Sequence, residues 1–471
     1  MLERNKVEEE FFTALNNHDV IKMRTIFNIV PTVDLAEIAN KTEEPSKLTF
    51  IFKVVKSELT SDFFTELNDD TQEKLLMVFS DEELVKLLNE SYTDDIVDFL
   101  EDMPANLISK ALVKVPKDKR EAVNKLLNFK EDTAASVMTT EFFELHSDMK
   151  VKDAMEVIRA KGKQAETIYT LFLVDDKKNL VGIASLDDLI FADPNEKLFD
   201  IKEKEFLFTT ASTDQEEVAQ MFKKYDLHAL AVVNKEQKLI GVITVDDVMD
   251  VIEKETNEDI ALQAGVIPLD DQYKEVGAVR MALKCAPWLI ILIVVGFFSS
   301  LILSKFQDKI AATAILAAFI PVIMDTGGNS GSQTSSVIVR SLAIREFHTK
   351  DFWKILWKEI RTAMLTGAIV AVVAFGIFMA EMSIPNLIEY KTSTGEPATV
   401  VQKLIVSAIV SGTLFCSICI SKTLGCIIPF LAKKLKADPA IVSSSTVTTI
   451  VDITSLLVYF GILSLFVQFI N

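Results

Sequence analysis

The chain has 471 residues, a formal net charge of −19 and 49% hydrophobic residues. This length exceeds what one hydrophobic core supports, so several domains are expected. The charge is unevenly divided, with −23 over residues 1–284 and +4 over residues 285–471. Because an acidic surface repels phosphate backbones and attracts cations, the composition excludes nucleic-acid binding by the front of the chain.

The first residues and the cysteines narrow the class of protein further. Met1 to Arg4 lack the basic and apolar regions of a signal peptide, so the acidic part is expected to stay in the cytosol. All four cysteines fall in or beside apolar stretches, which argues against a disulfide framework or a soluble zinc site. They are Cys285, Cys416, Cys419 and Cys426.

Residues 8–129 have apolar side chains at the three and four spacing of short helices. Ser80 and Glu83 form a capping box that opens a helix with Leu84, Leu87 and Leu88 on one face. Repeated units of this kind predict stacked helical hairpins, which form an all-α N-terminal superhelical domain over residues 1–130. Acidic residues are dense near its end, where a solvated face and a metal site both fit the pattern. They are Asp94, Asp95, Asp98, Glu101 and Asp102.

A ten-residue element is repeated in the middle of the chain, as LVGIASLDDL at 180–189 and LIGVITVDDV at 239–248. Each copy follows a short apolar strand and, before it, an amphipathic helix. This order resembles a tandem pair of CBS modules, an α/β domain over residues 131–256 with halves at 131–197 and 198–256. In CBS modules the repeated Ser/Thr and Asp can hold a nucleotide, while N-capping of the next helix explains them equally well. The residues are Ser185 with Asp188 and Thr244 with Asp247.

An acidic run follows the repeat and leads into a predicted linker, or plug, helix over residues 257–284. Glu255, Glu258 and Asp259 lie at helical spacing, so three carboxylates share one helix face. Like charges in this arrangement repel one another. A solvated linker and a divalent-cation site shared with another domain are equally compatible with this spacing.

The last part of the chain, residues 285–471, is predicted to be an α-helical transmembrane domain of five spans. Lys and Arg are more frequent in the loops after the second and fourth spans, which places those loops and the N-terminus in the cytosol. The spans run approximately over residues 286–303, 310–342, 360–380, 401–431 and 440–470.

The fifth span carries a single carboxylate, Asp452, near its middle. An ionised Asp at the centre of a membrane helix costs about 3 kcal/mol, so such a residue usually faces water or an ion. Thr448 and Ser444 lie one and two turns earlier on the same face and could line a wet cavity. This pattern favours an ion pathway over its alternative, a protonated Asp that is hydrogen-bonded across helices.

The second span contains the polar segment Asp325 to Gln333, with three glycines and Asn329. At membrane depth such a segment indicates close helix packing or local opening, with polar groups turned to the protein interior. Five spans are few for a pore, so two chains are expected to pair, with an Asp452 from each at a shared axis.

These residues suit a strongly hydrated dication. Mg2+ is often held by one or two carboxylates while it keeps several waters, whereas Ca2+ prefers more direct oxygen ligands. Asp452, surrounded by the hydroxyls and amides of Thr448, Ser444, Asn329 and Gln333, fits Mg2+ better than Ca2+. No His or Cys is placed to favour Zn2+, while Mn2+ and Co2+ stay open.

The acidic front predicts how such a pathway is regulated. A dication that bridges carboxylates of the helical domain, the CBS pair and the linker helix would favour a compact state by neutralising their repulsion. The linker helix would transmit that state to the first span. Protection of the soluble part from protease by Mg2+ tests this hypothesis.

The order of these features resembles the MgtE family of magnesium channels over essentially the whole chain. The family-like segments include Asp132 to Thr139, Thr244 to Val248, Glu258 to Ile260 and Asp438 to Ala440. The resemblance implies a homodimer in the bacterial inner membrane, with cytoplasmic N-terminal domains and a pore at the dimer axis that passes largely hydrated Mg2+. The pore residues it implies are Asp452, Thr448, Ser444, Asn329, Gln333 and Gly328.

The resemblance also implies regulatory Mg2+ between domains and ATP in the CBS region, at Ser185, Asp188 and Thr244. The implied regulatory ligands are all carboxylates. They are Asp94, Asp95, Asp98, Glu216, Asp226, Asp247, Asp250, Glu255, Glu258, Asp259 and Asp438.

The sequence therefore predicts a homodimeric Mg2+ channel that cytosolic Mg2+ closes, in contact with membrane lipid, and not an enzyme, because no nucleophile, base and orienting group come together. The alternative is a membrane-anchored CBS sensor of nucleotide or ion that does not itself transport. The mid-span Asp and the glycine-rich polar segment favour the channel. A carrier with alternating access is a third hypothesis, which the absence of a visible inverted repeat disfavours.

Overall fold

The computed structural model describes residues 4–56, 59–101, 115–142, 144–203, 205–269, 273, 276–306, 317–384, 399–435, 437–440 and 444–466. Within these ranges the side chains of Asp98, Glu101 and Ser444 lie outside the description, and Asp102 lies outside the ranges. The chain divides into two compact units, residues 1–253 and residues 254–471.

The first unit begins with short helices, as predicted. The predicted capping box is confirmed, because Ser80 Oγ accepts a hydrogen bond from Glu83 N while the Glu83 carboxylate accepts one from Ser80 N at 2.9 Å. Leu84, Leu87 and Leu88 are buried along one face of that helix. The superhelical stacking stays a prediction. The helices are α1 (Arg4–Asn16), α2 (Val20–Ile29), α3 (Thr32–Ala39), α4 (Pro45–Val54), α5 (Thr60–Thr65), α6 (Asp69–Val78), α7 (Asp81–Glu90), α8 (Thr93–Glu101) and α9 (Lys117–Leu126).

Two three-stranded sheets of the same topology follow, which confirms the tandem repeat. In each sheet the first strand pairs parallel with the second, and the second pairs antiparallel with the third. Thr170 pairs with Ser185, and Ala229 pairs with Thr244 at the equivalent place. The elements are β1 (Glu144–His146), α10 (Val151–Lys161), β2 (Thr170–Val174), β3 (Leu180–Ser185), α11 (Leu186–Phe191), α12 (Leu198–Ile201), β4 (Phe208–Thr210), α13 (Gln215–Tyr225), β5 (Ala229–Val233) and β6 (Leu239–Thr244).

The hydrophobic core of the first unit joins its domains. One continuous cluster of buried side chains runs from the N-terminal helices to the second CBS module, and includes Leu126, Met138 and Phe222. A second cluster, with Phe172 and Ala231, lies between the two sheets. Burial of this apolar surface stabilises the helical domain against the second CBS module.

The helix α14 (Val245–Gln263) begins directly after β6 and carries the acidic run. It is shorter at its C-terminal end than the plug helix predicted over residues 257–284. Gly265 adopts a left-handed φ of +73°, which interrupts the helical hydrogen-bond pattern after Gln263. The next helix starts at Ala278.

The second unit is helical. Among the described residues, four helices are long and apolar enough to cross a membrane, at Ala278–Lys305, Thr349–Glu381, Val400–Lys434 and Thr446–Phe466. The remaining predicted span, the second in chain order, is α16, which contains the polar segment and packs against α18 and α19. The five-span arrangement stays a prediction. The helices are α15 (Ala278–Lys305), α16 (Ile320–Ala343), α17 (Phe352–Ser383), α18 (Val400–Lys434) and α19 (Ser444–Phe466).

Candidate ion pathway and sensor site

The polar segment of α16 lies against α18 and α19 at very short range. A Cβ added at Gly425 of α18 would lie 2.3 Å from the carbonyl oxygen of Gly331 in α16. No side chain fits at that distance, so glycine is required where these two backbones cross. The predicted close packing of this segment is therefore confirmed.

The half-buried carboxylate of Asp452 lies directly beside Gly328. A Cβ added at Gly328 would be 3.3 Å from Asp452 Oδ1 and 2.7 Å from Thr448 Cγ2. The structure therefore brings together three of the predicted pore residues, from two helices. The absence of a side chain at Gly328 leaves the Asp452 carboxylate room beside the α16 backbone.

The neighbouring face of α16 is polar. Asn329 Nδ2 donates a hydrogen bond to Asp325 Oδ1 at 3.1 Å, and Gln333 follows one turn later. All three side chains are exposed in the isolated chain. The Asp325 carboxylate is near enough to Asp452 for the two charges to repel each other. The side chain of Ser444, the remaining predicted pore residue, lies outside the described part of the chain.

Buried hydrogen bonds join the same helices away from this face. Ser417 of α18 and Ser455 of α19 are linked through their Oγ atoms at 2.5 Å. Lys422 Nζ of α18 donates to Thr334 Oγ1 of α16 at 3.2 Å. Sequence reasoning did not single out Lys422, because its hydrogen-bond partner Thr334 lies on another helix, far away in the sequence.

A cluster of carboxylates, hereafter the acidic group, lies in the first unit and consists of Asp94, Asp95, Glu141, Glu166 and Asp247. Asp94 is only 9% exposed. Burial, with repulsion from Asp95 and Asp247, raises the pKa of Asp94 to about 9. Burial, with repulsion from the same two neighbours, raises the pKa of Glu166 to about 8. Burial and repulsion between neighbours therefore disfavour the ionised form of these two carboxylates.

Asp95 and Asp247 lie in the same environment but accept hydrogen bonds. Asp95 accepts from the Tyr92 backbone N–H at 3.4 Å, and Asp247 accepts from Thr244 Oγ1 at 2.5 Å. Burial outweighs these bonds and raises the pKa of each to about 6. The structure thus gathers Asp94, Asp95 and Asp247 from helices far apart in the sequence.

Glu141 organises the acidic group. Its Oε2 accepts hydrogen bonds from Thr93 N at 3.2 Å, from Thr93 Oγ1 at 2.5 Å and from Thr139 Oγ1 at 3.1 Å. These bonds fix the start of α8, which carries Asp94 and Asp95, against the segment before β1. Sequence reasoning missed Glu141 and Glu166; the run of two threonines before Glu141 was the available signal for the first.

Two buried oxygens of the acidic group, Asp94 Oδ1 and Glu166 Oε2, have no hydrogen-bond partner among the described residues. A buried carboxylate oxygen without a donor is costly, and a bound cation removes that cost. Within the same described ranges, no three His, Cys, Asp or Glu side chains already have the spacing of a formed metal site.

The acids of the linker form a second cluster, in the second unit. Burial, followed by repulsion from Asp438, Glu255 and Glu258, raises the pKa of Asp259 to about 6. Asp438 lies in the segment between α18 and α19 and accepts a hydrogen bond from Ala440 N at 2.8 Å. The structure therefore places the end of α14 beside that segment.

The other predicted regulatory carboxylates are more dispersed. Asp250 lies near Glu66 of the helical domain, where burial and the Asp250 charge raise the pKa of Glu66. Glu216 and Asp226 are exposed at opposite ends of α13. Neither belongs to the acidic group, and the Asp98 side chain is outside the described residues.

The candidate nucleotide residues form helix caps. Ser185 Oγ donates to Asp188 Oδ2 at 2.5 Å and caps α11 in a capping box. Thr244 makes the same contact with Asp247, and Thr244 is buried. Ser185 is therefore a helix cap, Thr244 donates through its N–H and its hydroxyl to the first turn of α14, and nucleotide binding stays a prediction.

Family models match segments of the chain from residue 30 to residue 462. Residues 320–462 match the family MgtE, described as a divalent cation transporter, and residues 30–132 match the MgtE intracellular N domain. Residues 134–195 and 198–254 each match a CBS domain, which confirms the tandem pair.

Among curated relatives, the magnesium transporter MgtE of Bacillus subtilis is 30% identical over 96% of both chains. That of Thermus thermophilus is 34% identical over 74% of this chain and 73% of the relative. The solved soluble part of a magnesium transporter is 27% identical, with a TM-score of 0.51, and covers 54% of this chain and 99% of its own. These matches confirm the prediction of a membrane protein that transports Mg2+ and is not an enzyme. The chain belongs to the MgtE family of magnesium transporters.

Proposed function

We propose that two copies of this chain form a Mg2+-selective channel for Mg2+ uptake, with the ion passing Asp452 and with cytosolic Mg2+ holding the channel closed. The observation that carries the proposal is the position of Asp452 beside Gly328, where an added Cβ would lie 3.3 Å from Asp452 Oδ1 and 2.7 Å from Thr448 Cγ2. A carboxylate and a hydroxyl residue of α19 thus lie beside a glycine of α16, which supports a pathway at this place.

Permeation by a hydrated ion follows from the donor set. Asp452 offers one carboxylate per chain, while Asn329 and Gln333 offer amides on the adjacent helix face. Mg2+ gives up its water reluctantly, so a site with few charges and many hydrogen-bonding groups suits it. The amides and hydroxyls would bind the water shell, and the carboxylate would attract the ion.

Pairing of two chains is supported by what the isolated chain leaves exposed. Asp325, Asn329 and Gln333 are exposed on α16, although α16 packs among membrane-spanning candidates. Polar side chains of this kind do not face lipid. A second copy would cover them and enclose a water-filled path, with an Asp452 from each chain along it.

Closure by cytosolic Mg2+ is supported by the acidic group. Asp94 and Glu166 each have a buried oxygen without a hydrogen-bond partner among the described residues, and burial, with repulsion from neighbouring carboxylates, raises the pKa of both. A dication would neutralise that repulsion and stabilise the contact of α8 with the second CBS module. The acids around Asp259 would respond in the same way at the other end of α14.

ATP that binds the CBS pair would regulate the channel as well. Ser185 and Asp188 stand at the start of α11 and are accessible. The N-terminus of a helix binds phosphate through its free N–H groups, and the Ser185 hydroxyl could turn from Asp188 to a nucleotide. ATP bound there would alter the sensitivity of the channel to Mg2+.

The testing experiment is Mg2+ flux into liposomes that contain the full chain, with Mg2+ inside the liposomes varied. Wild type should conduct at low internal Mg2+ and close as it rises, while Asp452→Asn should lose flux by a factor of about 100 or more. Glu346→Gln, an exposed acid between α16 and α17, is the matched control and should conduct normally.

Flux retained in Asp452→Asn would remove this residue from the pathway. No flux in wild type under any condition would instead favour the anchored CBS sensor. Wild-type flux that does not depend on internal Mg2+ would support the channel but refute its closure by cytosolic Mg2+.

A further inference from the structure

Two tryptophans and three basic residues are exposed together near the start of α17. Trp353 is 75% exposed and Trp357, one helical turn later, is 60% exposed. Lys354, Lys358 and Arg361 are exposed beside them, at spacings of four and three residues. These five residues are hereafter the basic–aromatic face. Tryptophans with one apolar and one polar side concentrate where a membrane meets water.

The opposite face of α17 packs against α18. Leu356 is buried, and a Cβ added at Gly367 would lie 3.1 Å from Phe415 Cδ2 of α18. The ring centroids of Phe352 and of Phe430 in α18 lie 5.2 Å apart. These contacts fix the rotation of α17 and turn the basic–aromatic face away from α18.

The depth of this face in the membrane follows from the charges along α17. Residues 362–380 contain no charged side chain. At 1.5 Å per residue this run spans about 28 Å, which is close to the hydrocarbon thickness of a bilayer. Arg361 therefore lies at the edge of the hydrocarbon layer, with Lys358 and Lys354 at successive levels outside it. That is the level of the lipid headgroups, on the side that the excess of Lys and Arg marks as cytosolic.

The positive charge of this face is not neutralised by the protein. Within the described part of the chain, none of its three basic side chains forms an ion pair. The acids nearest in the sequence are engaged elsewhere, since Asp351 Oδ2 accepts a hydrogen bond from His348 N at 3.0 Å and Glu359 Oε2 lies 3.5 Å from Thr334 Oγ1 of α16. Like charges three or four residues apart on a helix repel each other. An anion at headgroup level would offset this repulsion.

We propose that the basic–aromatic face binds an anionic phospholipid of the cytosolic leaflet. The guanidinium of Arg361 has paired N–H donors that match two oxygens of a lipid phosphate, and the lysines add positive charge around it. Leu365 and Ile369 are exposed further along the helix and offer an apolar surface to the acyl chains. A zwitterionic headgroup brings a cation of its own, so this face favours a headgroup with net negative charge. This inference goes beyond the proposed channel and does not depend on it.

The test measures quenching of tryptophan fluorescence by brominated lipids, with the full chain in phosphatidylcholine liposomes. All proteins carry Trp288→Phe, so that only Trp353 and Trp357 report. Brominated phosphatidylglycerol and brominated phosphatidylcholine are compared at equal mole fraction. Phosphatidylglycerol should bind about threefold or more tightly, because each Lys or Arg at the membrane surface attracts anionic lipid. Added glycerol phosphate, which lacks acyl chains, should leave the quenching unchanged.

A charge-removing variant locates the effect. The triple variant Lys354→Gln, Lys358→Gln and Arg361→Gln keeps both tryptophans, so brominated phosphatidylcholine should quench it as it quenches the parent. Its preference for phosphatidylglycerol should fall to about one. The matched control removes three positive charges from exposed positions of α10 and should keep the preference. Its substitutions are Lys152→Gln, Arg159→Gln and Lys161→Gln.

Several outcomes would overturn the proposal. Equal quenching of the parent by the two lipids would show that the face does not select charge, and this comparison decides even if the triple variant fails to fold. Quenching by neither lipid would show that protein covers the face. A preference that survives in the triple variant, or that disappears in the α10 control as well, would remove these basic residues from its cause. A preference abolished by glycerol phosphate would indicate a site for free phosphate esters instead of lipid.

Discussion

Lys422 Nζ of α18 donates a hydrogen bond to Thr334 Oγ1 of α16 at 3.2 Å, and Lys422 is only 7% exposed. Thr334 in turn lies 3.5 Å from a carboxylate oxygen of Glu359 in α17. Three helices are therefore joined by a cation, a hydroxyl and an acid inside the helical unit. A buried ammonium is costly unless such partners surround it.

Lys422→Met should destabilise the chain by about 1–3 kcal/mol, because it removes the hydrogen bond that the buried Thr334 accepts from Lys422. The melting temperature of the full chain in detergent measures this effect. Lys354→Met, an exposed lysine of α17, is the control and should melt as wild type. If Lys422→Met melts no lower than this control, the hydrogen bond does not hold the helices.

Gly328→Ala should reduce Mg2+ flux at least tenfold, since its Cβ would be 2.7 Å from Thr448 Cγ2 and 3.3 Å from Asp452 Oδ1. The control is Gly376→Ala in α17, where an added Cβ meets nothing within 4 Å. The two substitutions are chemically identical, so a difference in flux reports the site. Equal flux in the two variants would show that displacing the Asp452 side chain from Gly328 does not affect Mg2+ flux.

Gly265→Ala should weaken the junction after α14 by about 2 kcal/mol, because alanine disfavours a φ of +73° and its Cβ would lie 2.3 Å from Trp288 Cδ1. Tryptophan fluorescence during unfolding measures the loss. Gly277→Ala, at a position with open space around it, is the control. A mutant at Gly265 that conducts even at high internal Mg2+ would show that this junction carries the closing signal.

The acidic group predicts a pH dependence of stability without Mg2+. The folded chain keeps protons that the unfolded chain has lost, because the pKa values of Asp95 and Asp247 are raised to about 6 and that of Asp94 to about 9. The stabilisation is fully present below the ordinary Asp pKa of 3.8 and is lost as pH rises through about 6 and then about 9.

Unfolding of the full chain should therefore occur at lower temperature at pH 8.5 than at pH 5.5 in chelator, by about 2–4 °C for each 1 kcal/mol lost. Mg2+ should restore the higher value at pH 8.5 more than at pH 5.5. Asp94→Asn should flatten the dependence. An unchanged pH profile in Asp94→Asn would contradict the electrostatic account.

Glu141→Ala should separate α8 from the segment before β1, because Thr93 then loses two hydrogen bonds to one carboxylate oxygen. We expect hydrogen exchange in α8 to rise about tenfold or more, which corresponds to the loss of roughly 1.4 kcal/mol. Glu144→Ala changes a nearby exposed pair with Lys178 and serves as the control. A normal exchange rate in Glu141→Ala would show that the hydrogen bonds between Thr93 and Thr140 are sufficient to hold the start of α8.

Local patterns in the sequence predicted local structure well. The Ser80 capping box and the repeat of two CBS modules depend on neighbouring residues or fixed periods, whereas the approach of Asp452 to Gly328 joins two helices that are far apart in the sequence. The acidic group was predicted only in part. Glu166 joins it through folding of distant segments, and no spacing in the chain marks that residue.

Two features that the sequence did not predict, the early end of the plug helix and the burial of Lys422, have physical causes. The plug helix ends early because a single left-handed glycine, Gly265, outweighs the helical pattern around it. Lys422 sits where hydropathy expects an apolar residue, and its burial depends on Thr334 from another helix. Both depend on tertiary contacts that one-dimensional periodicity does not contain.

Because α14 is one continuous helix, we expect the channel to close steeply as cytosolic Mg2+ rises. Asp247 and Asp250 near its start, and Glu258 and Asp259 near its end, are attached to the same rod of hydrogen-bonded backbone. Fixing one end with an ion removes part of the entropy cost of fixing the other. Occupancy at the two ends should therefore be cooperative, and the conductance should fall with a Hill coefficient above one.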